Sequence, residues 1–390
     1  TNIHPGETWA AVETNLREYT LPLKELVSPH ADFGVGLRLS NQAAEDLLSG
    51  GDLDRFREWL DGHGLYVYTL NGFPYGGFHR QVVKDDVYRP EWSDPERLAY
   101  TRRLINILAE VLPSNLEGSI STSPLSYKPW LADSEQSDVM EASALNFAEA
   151  AFTMFDLRER TDRLIHVGIE PEPDCLIENT AETVAWFEDY LLRHGASLLR
   201  SVHGLSRGQA EEALRSHIRV CYDTCHLAVE FEEPEYALST FRGAGIELSK
   251  VQISAALRVP LAADRADLAR DLETFAESTY LHQVVARRAD GSLSHYPDLP
   301  AAMPDLPDTD DEEWRIHYHV PIFVDRYEHL YSTQRDIVAA LEWIQRERPC
   351  AHLEIETYTW DVLPPDLKTD VVTSLQREFE WTLAQLKPKP

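Results

Sequence analysis

The chain has 390 residues, of which 43% are hydrophobic, and this composition is typical of a packed globular protein and argues against disorder. Its 66 acidic and 36 basic residues give a formal net charge of −30, so we expect its surface to repel nucleic acid and anionic lipid. The chain has no apolar stretch of about 20 residues, which argues against membrane insertion, and its 4 cysteines lie outside any Cys-x-x-Cys pair, which favours a reducing cytoplasm.

Short apolar runs alternate along the chain with longer segments of helical periodicity. The runs predict β-strands at 33–39, 65–70, 118–122, 164–169, 218–222, 251–254 and 352–355. Residues 2–4 would end an eighth strand, and because the sequence does not begin with Met we expect most of that strand to lie upstream. Helices are predicted at 8–27, 95–112, 137–160, 181–194, 207–217, 233–243, 334–347 and 366–386.

The repeated strand–helix unit predicts an α/β fold with a parallel sheet that is buried on both faces. Eight such units favour a closed (β/α)₈ TIM barrel over an open sheet, and we interpret residues 1–390 as a single barrel domain. The early strands are not followed by a glycine-rich phosphate loop, so no nucleotide cofactor is expected.

Residues 256–330 interrupt this alternation of strands and helices. The segment is long for one connection, and it contains an acidic, proline-rich stretch followed by the alternating run 314–323. Long structured loops of barrels commonly carry function. We therefore interpret 256–330 as an insertion over the barrel mouth rather than as a second domain.

Acidic residues follow three of the predicted strands, at Glu170 and Glu172, at Asp223, and at Glu356. In a TIM barrel the carboxyl ends of the strands meet at one rim, where functional residues lie. Carboxylates that converge on a partly buried rim repel each other, and a divalent cation removes this repulsion. Each residue also has an ordinary structural explanation, as a solvated strand end or a helix cap, but together they predict a site for Mn²⁺, Zn²⁺, Mg²⁺ or Co²⁺.

Histidines could complete this metal site. His226 follows Asp223 by three residues and could return over the same rim. His317 and His319 are two residues apart on a strand-like run, so both side chains should face one way. The alternative is that one of these two imidazoles packs in the core while the other is exposed to solvent.

With these residues, the chain resembles the xylose isomerase-like TIM-barrel superfamily, which includes ketose 3-epimerases, inosose dehydratases and endonuclease IV. Asp223-Thr224-Cys225-His226 resembles its Asp-x-x-His strand end, and Glu170 and Glu356 fall where its first and last metal-binding glutamates are expected. Gln252 and Arg258 resemble its His-x₅-Arg element, with Gln in place of the metal-binding His.

At a finer level the chain resembles the metabolite traffic protein EboE family. The similarity lies in segments 1–9 (TNIHPGETW), 71–75 (NGFPY), 169–173 (IEPEP), 317–321 (HYHVP) and 354–364 (EIETYTWDVLP). This resemblance implies handling or export of secondary-metabolite precursors, without defining a reaction.

The resemblance implies two metal sites, one held by Glu170, Asp223 and Glu356 and the other by His226, His317 and His319. A trinuclear zinc cluster of the endonuclease kind is not expected, because Asn71 and Thr122 stand where the endonuclease has histidines. A nuclease is disfavoured for the same reason and by the charge of the chain.

The leading hypothesis is an isomerase or epimerase of a sugar, cyclitol or related polyol ketone. Glu170 and Glu356 would transfer the proton, and Gln252, Arg258, Asn71 and Glu172 would contact the substrate. The alternative is a non-catalytic protein that binds or carries a metabolite in the barrel mouth. Besides the polyol substrate, the partner we expect is a second copy of the chain, as a homodimer.

Overall fold

The computed structural model describes residues 2–79, 81–364 and 368–387. The strands are, in chain order, β1 Phe33–Arg38, β2 Leu65–Asn71, β3 Gly118–Thr122, β4 Ile165–Ile169, β5 Ile218–Asp223, β6 Leu248–Ile253, β7 Ala255–Pro260, β8 Val284–Arg287, β9 Leu293–Tyr296, β10 Glu313–Val320, β11 Arg326–Tyr327, β12 Leu330–Ser332 and β13 Leu353–Ile355. Strands β1 to β6 and β13 are the predicted runs, to within a few residues at each end.

The predicted helical segments are helical over most of their described residues, and the chain has further helices that were not predicted, among them Asn41–Ser49 and Asp52–Gly62. The α-helices are Trp9–Asn15, Leu21–Val27, Asn41–Ser49, Asp52–Gly62, Pro95–Val111, Asp133–Thr161, Thr180–Trp186, Ala196–Val202, Arg207–His217, Thr224–Val229, Pro234–Gly243, Arg265–Glu273, Leu299–Ala302, Gln334–Glu347 and Val371–Gln385. Leu16–Thr20 and Phe187–Gly195 are π-helical, and short 3₁₀ turns lie at Lys84–Tyr88, Lys128–Trp130, Met303–Asp305 and Tyr358–Val362.

The sequence explains where several helices begin. Asp94 caps the helix Pro95–Val111 by accepting a hydrogen bond from the backbone N–H of Glu96, and Pro95 occupies the first turn, where its missing N–H costs nothing.

Of the predicted helix 366–386, residues 366 and 367 lie outside the described residues. None of the described helices combines the length and the apolar character needed to cross a membrane.

The seven parallel strands form one nearly closed sheet in the order β1-β2-β3-β4-β5-β6-β13. The predicted eighth strand differs, because residues 2–4 form a turn and a bend. Within the described part of the chain, no strand pairs with the outer edges of β1 and β13. Asn2 nevertheless reaches the rim, where its side-chain amide donates a hydrogen bond to Glu356.

An ion pair lies in the barrel interior beside the seam, which is the unpaired gap between β1 and β13. Lys250 on β6 is fully buried and binds the Glu354 carboxylate on β13. The Glu354 side chain extends across the seam to β1, where a Cβ atom on Gly36 would overlap its Oε1 atom. Position 36 therefore requires glycine, because a Cβ atom there would occupy the space of the Glu354 carboxylate.

Segment 256–330 contributes nearly all of a second, antiparallel sheet of order β11-β12-β7-β10-β8-β9, and it also contains the helices Arg265–Glu273 and Leu299–Ala302. Strand β10 lies between β7 and β8, with Ile316 opposite both Leu257 and Val284. Because side chains alternate along a strand, Tyr318 packs on Phe275 and His282 while its neighbours His317 and His319 face the other way, toward His226.

We expect the substitution Gly36→Ala to lower the free energy of unfolding by about 1–3 kcal/mol, the usual cost of overpacking an interior. The added methyl group must displace the Glu354 carboxylate, which the buried Lys250 holds in place. Chemical denaturation of the two proteins measures the difference.

The matched control is Gly62→Ala, at the end of the helix Asp52–Gly62, where an added Cβ meets no atom within 4 Å. This variant should be as stable as the parent or slightly more stable, since Ala is the better helix former. Equal stabilities of Gly36→Ala and Gly62→Ala would contradict the role given to Gly36.

Candidate metal centre

Three carboxylates from different strands meet at the barrel rim. Glu170 directly follows β4, Asp223 ends β5, and Glu356 directly follows β13. Each offers an oxygen within 4.8 Å of the other two, and all three residues are buried. The structure thus brings together the first of the two expected ligand sets.

Three imidazoles lie beside these carboxylates. Nε2 of His226 faces Nε2 of His317 at 3.0 Å, and the ring centre of His319 lies 5.9 Å from that of His226 and 5.4 Å from that of His317. The ligand groups that the structure forms are mixed rather than purely imidazole. Asp223 joins His226 and His319, and Glu172 joins His226 and His317, again with ligand atoms within 4.8 Å of one another.

Several buried polar atoms of this cluster have no hydrogen-bond partner in the described chain. They are Oε2 of Glu170, Oε2 of Glu172, Oδ2 of Asp223 and Nε2 of His319. A buried polar atom without a partner costs about 1–3 kcal/mol. Oxygen and imidazole nitrogen atoms are ligands of divalent metals, so the donor set fits Mn²⁺, Zn²⁺, Mg²⁺ or Co²⁺.

The two carboxylate oxygens of Asp223 have different roles, one structural and one available to a ligand. Its Oδ1 accepts hydrogen bonds from the backbone N–H groups of Cys225, at 2.7 Å, and His226, at 3.2 Å, and from the Ser254 hydroxyl, at 2.5 Å. These bonds fix the start of the helix Thr224–Val229 and the direction of the carboxylate. Oδ2 is left for a ligand.

The carboxylates respond differently to burial. Burial and the neighbouring Glu356 and Asp223 carboxylates raise the pKa of Glu170 well above its usual value, and burial and Asp223 do the same to the pKa of Glu356. Burial also opposes ionisation of Asp223, but His226 and His319 outweigh it and lower its pKa. Without a cation the two glutamates therefore favour their protonated forms, and a bound cation would stabilise their ionised forms.

Two of the three imidazoles, those of His317 and His319, favour the neutral form that binds metals. Burial and the nearby His226 and His319 lower the pKa of His317 well below its usual value. Burial lowers the pKa of His319 to about 4, and Nδ1 of this residue lies 2.9 Å from the backbone oxygen of Glu356. That contact orients the ring and leaves Nε2 with a free lone pair.

Glu172, predicted to contact substrate, lies beside the histidines. Its Oε1 accepts a hydrogen bond of 2.8 Å from the Tyr88 hydroxyl and lies 3.4 Å from Nδ1 of His317. Burial raises the pKa of Glu172 to about 7.

Of the other residues predicted to contact substrate, Asn71 lies at the site. Its amide donates to Oε1 of Glu356 at 3.1 Å. Gln252 is buried on β6, accepts from the Cys221 thiol at 2.8 Å, and its Nε2 atom has no hydrogen-bond partner among the described residues. Arg258 is placed elsewhere, because it lies on β7 of the second sheet and pairs with Glu313 at 2.6 Å.

Two residues of an aromatic cover over the site, Tyr280 and Tyr358, were not predicted from the sequence. The rings of Phe78, Tyr280 and Tyr358 pack together, with centres 5.1 to 5.3 Å apart. The Tyr358 hydroxyl lies 3.3 Å from Nε2 of His317. Tyr358 could have been found, since it continues the alternation of Glu354 and Glu356. Tyr280 lies in a loop without a recognisable pattern.

Beneath this cover lies a cavity of about 50 Å³, lined by Glu170, Glu172, His226, His317 and Glu356 together with the aromatic residues. Ligand pockets usually measure about 300–1,000 Å³. This cavity is smaller than a usual ligand pocket, so a polyol would need more space than the side chains leave in this conformation.

No protein-family model and no curated protein matches the chain. Solved structures do. The chain is similar to an L-ribulose 3-epimerase, with a TM-score of 0.50, 10% identity and coverage of 99% of this chain and 92% of that one. It is also similar to the IOLI protein with a binding zinc atom, with a TM-score of 0.48, 11% identity and coverage of 94% and 92%.

A third similar structure is a xylose isomerase-like TIM barrel protein from Mycobacterium smegmatis in complex with magnesium, with a TM-score of 0.47, 14% identity and coverage of 97% and 89%. At these identities the likeness concerns the fold alone. The chain has the α/β fold of the xylose isomerase-like TIM barrels, as predicted.

We expect the Asp223→Asn variant to bind at least one equivalent less of divalent metal than the parent protein. The Asn side chain keeps an oxygen that can cap Cys225 and His226 but loses the second ligand oxygen. Elemental analysis after dialysis against Mn²⁺ or Zn²⁺ gives the stoichiometry.

The matched control is Asp311→Asn. Asp311 is also buried, but its carboxylate already accepts hydrogen bonds from Thr309 and Trp314 away from the rim. This control should keep the full metal content. If Asp223→Asn keeps it as well, Asp223 is not a ligand.

Proposed function

We propose that the protein is a divalent metal-dependent isomerase or epimerase that moves a proton next to the carbonyl group of a sugar, cyclitol or related polyol ketone. The observation that carries this proposal is the meeting of Glu170, Asp223 and Glu356 with three histidines beside a cavity that aromatic residues also line. Such a site suits carbon–hydrogen bond chemistry from which water must be excluded.

A metal bound here would polarise the substrate carbonyl and thereby acidify the neighbouring C–H bond. Glu170 and Glu356 act as the proton-transfer pair, one removing the proton and the other returning it. Asn71 holds Glu356 through the 3.1 Å hydrogen bond and keeps its carboxylate at the rim. Tyr88 does the same for Glu172, which binds a substrate hydroxyl.

The substrate class rests on three supports. The cavity is small, which suits a compact molecule. The similar L-ribulose 3-epimerase acts, by its name, on a sugar. The resemblance of the segments around Glu170, His317 and Glu356 to the EboE family adds a secondary-metabolite pathway to the proposal.

The proposal gives segment 256–330 the role of a cover within one barrel domain. This segment supplies Tyr280, Leu281 and His317 to the cavity wall. Lys84, on the opposite side of the mouth, binds the Tyr280 carbonyl and the Asp298 carboxylate at 2.6 Å each. Substrate entry requires these contacts to open.

The experiment follows exchange of carbon-bound hydrogen in deuterated water. Ketoses and cyclitol ketones are incubated with metal-loaded protein, and loss of the C–H signal is measured by NMR. Glu170→Gln and Glu356→Gln should each slow the exchange about 10²–10⁴-fold, since each removes one acid–base group. Metal content is measured in parallel, because both residues also belong to the ligand group.

The control variant is again Asp311→Asn, which should exchange at the parent rate. Exchange that persists in the Glu170→Gln/Glu356→Gln double variant would overturn the assignment of the pair. Calorimetric binding of a polyol without exchange of any carbon-bound hydrogen would instead support a metabolite carrier.

A further inference from the structure

A second group of potential metal ligands lies outside the rim, where the loops after β4 and β5 meet the hairpin β8–β9. Asp174 and Glu178 come from the loop between β4 and the helix Thr180–Trp186, and His295 comes from β9. One ligand atom from each of these three residues lies within 4.8 Å of the others. Nδ1 of His295 lies 3.3 Å from Oδ1 of Asp174.

Glu230 faces the same imidazole from its other side. Its Oε2 atom lies 4.0 Å from Nε2 of His295, and its side chain is only 4% exposed. Its Oε1 atom is buried without a hydrogen-bond partner among the described residues, and so is Oδ2 of Asp174. Hydrogen bonds within the protein therefore leave the carboxylates of this group incompletely satisfied.

The charges of the group match a divalent ion. Asp174, Glu178 and Glu230 carry three negative charges when they are ionised, and Lys128 lies 2.9 Å from Glu178 and 3.6 Å from Glu182. Because Lys128 is shared with Glu182, it does not neutralise the group, and a divalent ion would offset two of the three negative charges. Burial raises the pKa of Glu230 to about 8, and the hydrogen bond to Asp174 raises the pKa of His295 to about 9, so without a metal the group holds protons.

We propose that Asp174, Glu178 and His295 bind a divalent metal ion such as Zn²⁺ at a site separate from the candidate centre, with Glu230 accepting a hydrogen bond from the second imidazole nitrogen. Carboxylates and imidazole are common zinc ligands. A carboxylate behind a metal-bound imidazole fixes its tautomer and orientation.

This ion joins the second sheet to the barrel. His295 lies opposite Val285 in the β8–β9 hairpin, and Gln283 immediately precedes β8. Gln283 binds the Pro173 carbonyl at 3.2 Å, and its Oε1 lies 2.9 Å from Nδ1 of His317. The outer ion therefore stabilises the hairpin that holds His317 in place.

The test isolates the outer site by using the Asp223→Asn/His319→Gln variant, which lacks two ligands of the inner centre. Equilibrium dialysis against zinc chloride at micromolar free zinc should show one bound equivalent in this background. Adding His295→Gln should abolish that equivalent. Adding Glu230→Gln instead should weaken it about 10–100-fold, the usual effect of losing a residue that orients a ligand.

The matched control in the same background is His329→Gln. His329 also belongs to segment 256–330 and pairs with one carboxylate, Asp271, at 2.8 Å. It should leave zinc binding unchanged. Equal zinc binding with and without His295→Gln, or none in the background variant, would overturn the proposal.

A second measurement guards against misfolding of the background. The parent protein and its His295→Gln variant are compared directly, and they should differ by one zinc equivalent. Zinc should also slow amide hydrogen exchange in 284–296 of the parent but not of the variant. Because the inner centre is intact in both proteins, this result does not depend on whether the proposed isomerase function holds.

Discussion

The burial of Glu170, Asp223 and Glu356 at one rim is the constraint on which the rest of the site depends. Two unit charges 4.8 Å apart repel each other by about 3 kcal/mol at an effective dielectric constant of about 20. Removing each carboxylate from water costs several kcal/mol more. A fold keeps such a cluster only if other groups offset this cost.

The surroundings of the cluster supply part of that offset. Three hydrogen bonds stabilise one oxygen of Asp223. The amides of Asn71 and Asn2 stabilise Glu356. The positive charge of the buried Lys250 lowers the pKa of Glu170 and Glu356. Burial outweighs this effect and leaves both pKa values raised. The remainder of the cost is what a metal ion would remove.

The parts of this arrangement that follow from chain periodicity could be predicted from the sequence. Parallel strands end at one rim, so Glu170, Asp223 and Glu356 had to be neighbours once the barrel was recognised. His317 and His319 are two residues apart on a strand, so the sequence also predicted that both side chains lie on one face. Tyr88 and Gln283 could not be predicted, because their contacts depend on how two long loops fold over the rim. Arg258 was predicted to contact the substrate, whereas it lies on β7 of the second sheet and pairs with Glu313.

Two groups of potential ligands at the rim differ in the metal that they favour. One is the set of three carboxylates, and the other is Asp223 with His226 and His319. Glu170, Asp223 and Glu356 offer only oxygen. Oxygen ligands favour Mg²⁺ and Mn²⁺, whereas imidazoles favour Zn²⁺. Asp223 belongs to the carboxylate group and also to the group with His226 and His319. A shared carboxylate between an oxygen-rich and a nitrogen-rich group would couple the two positions, so that occupancy of one changes the affinity of the other.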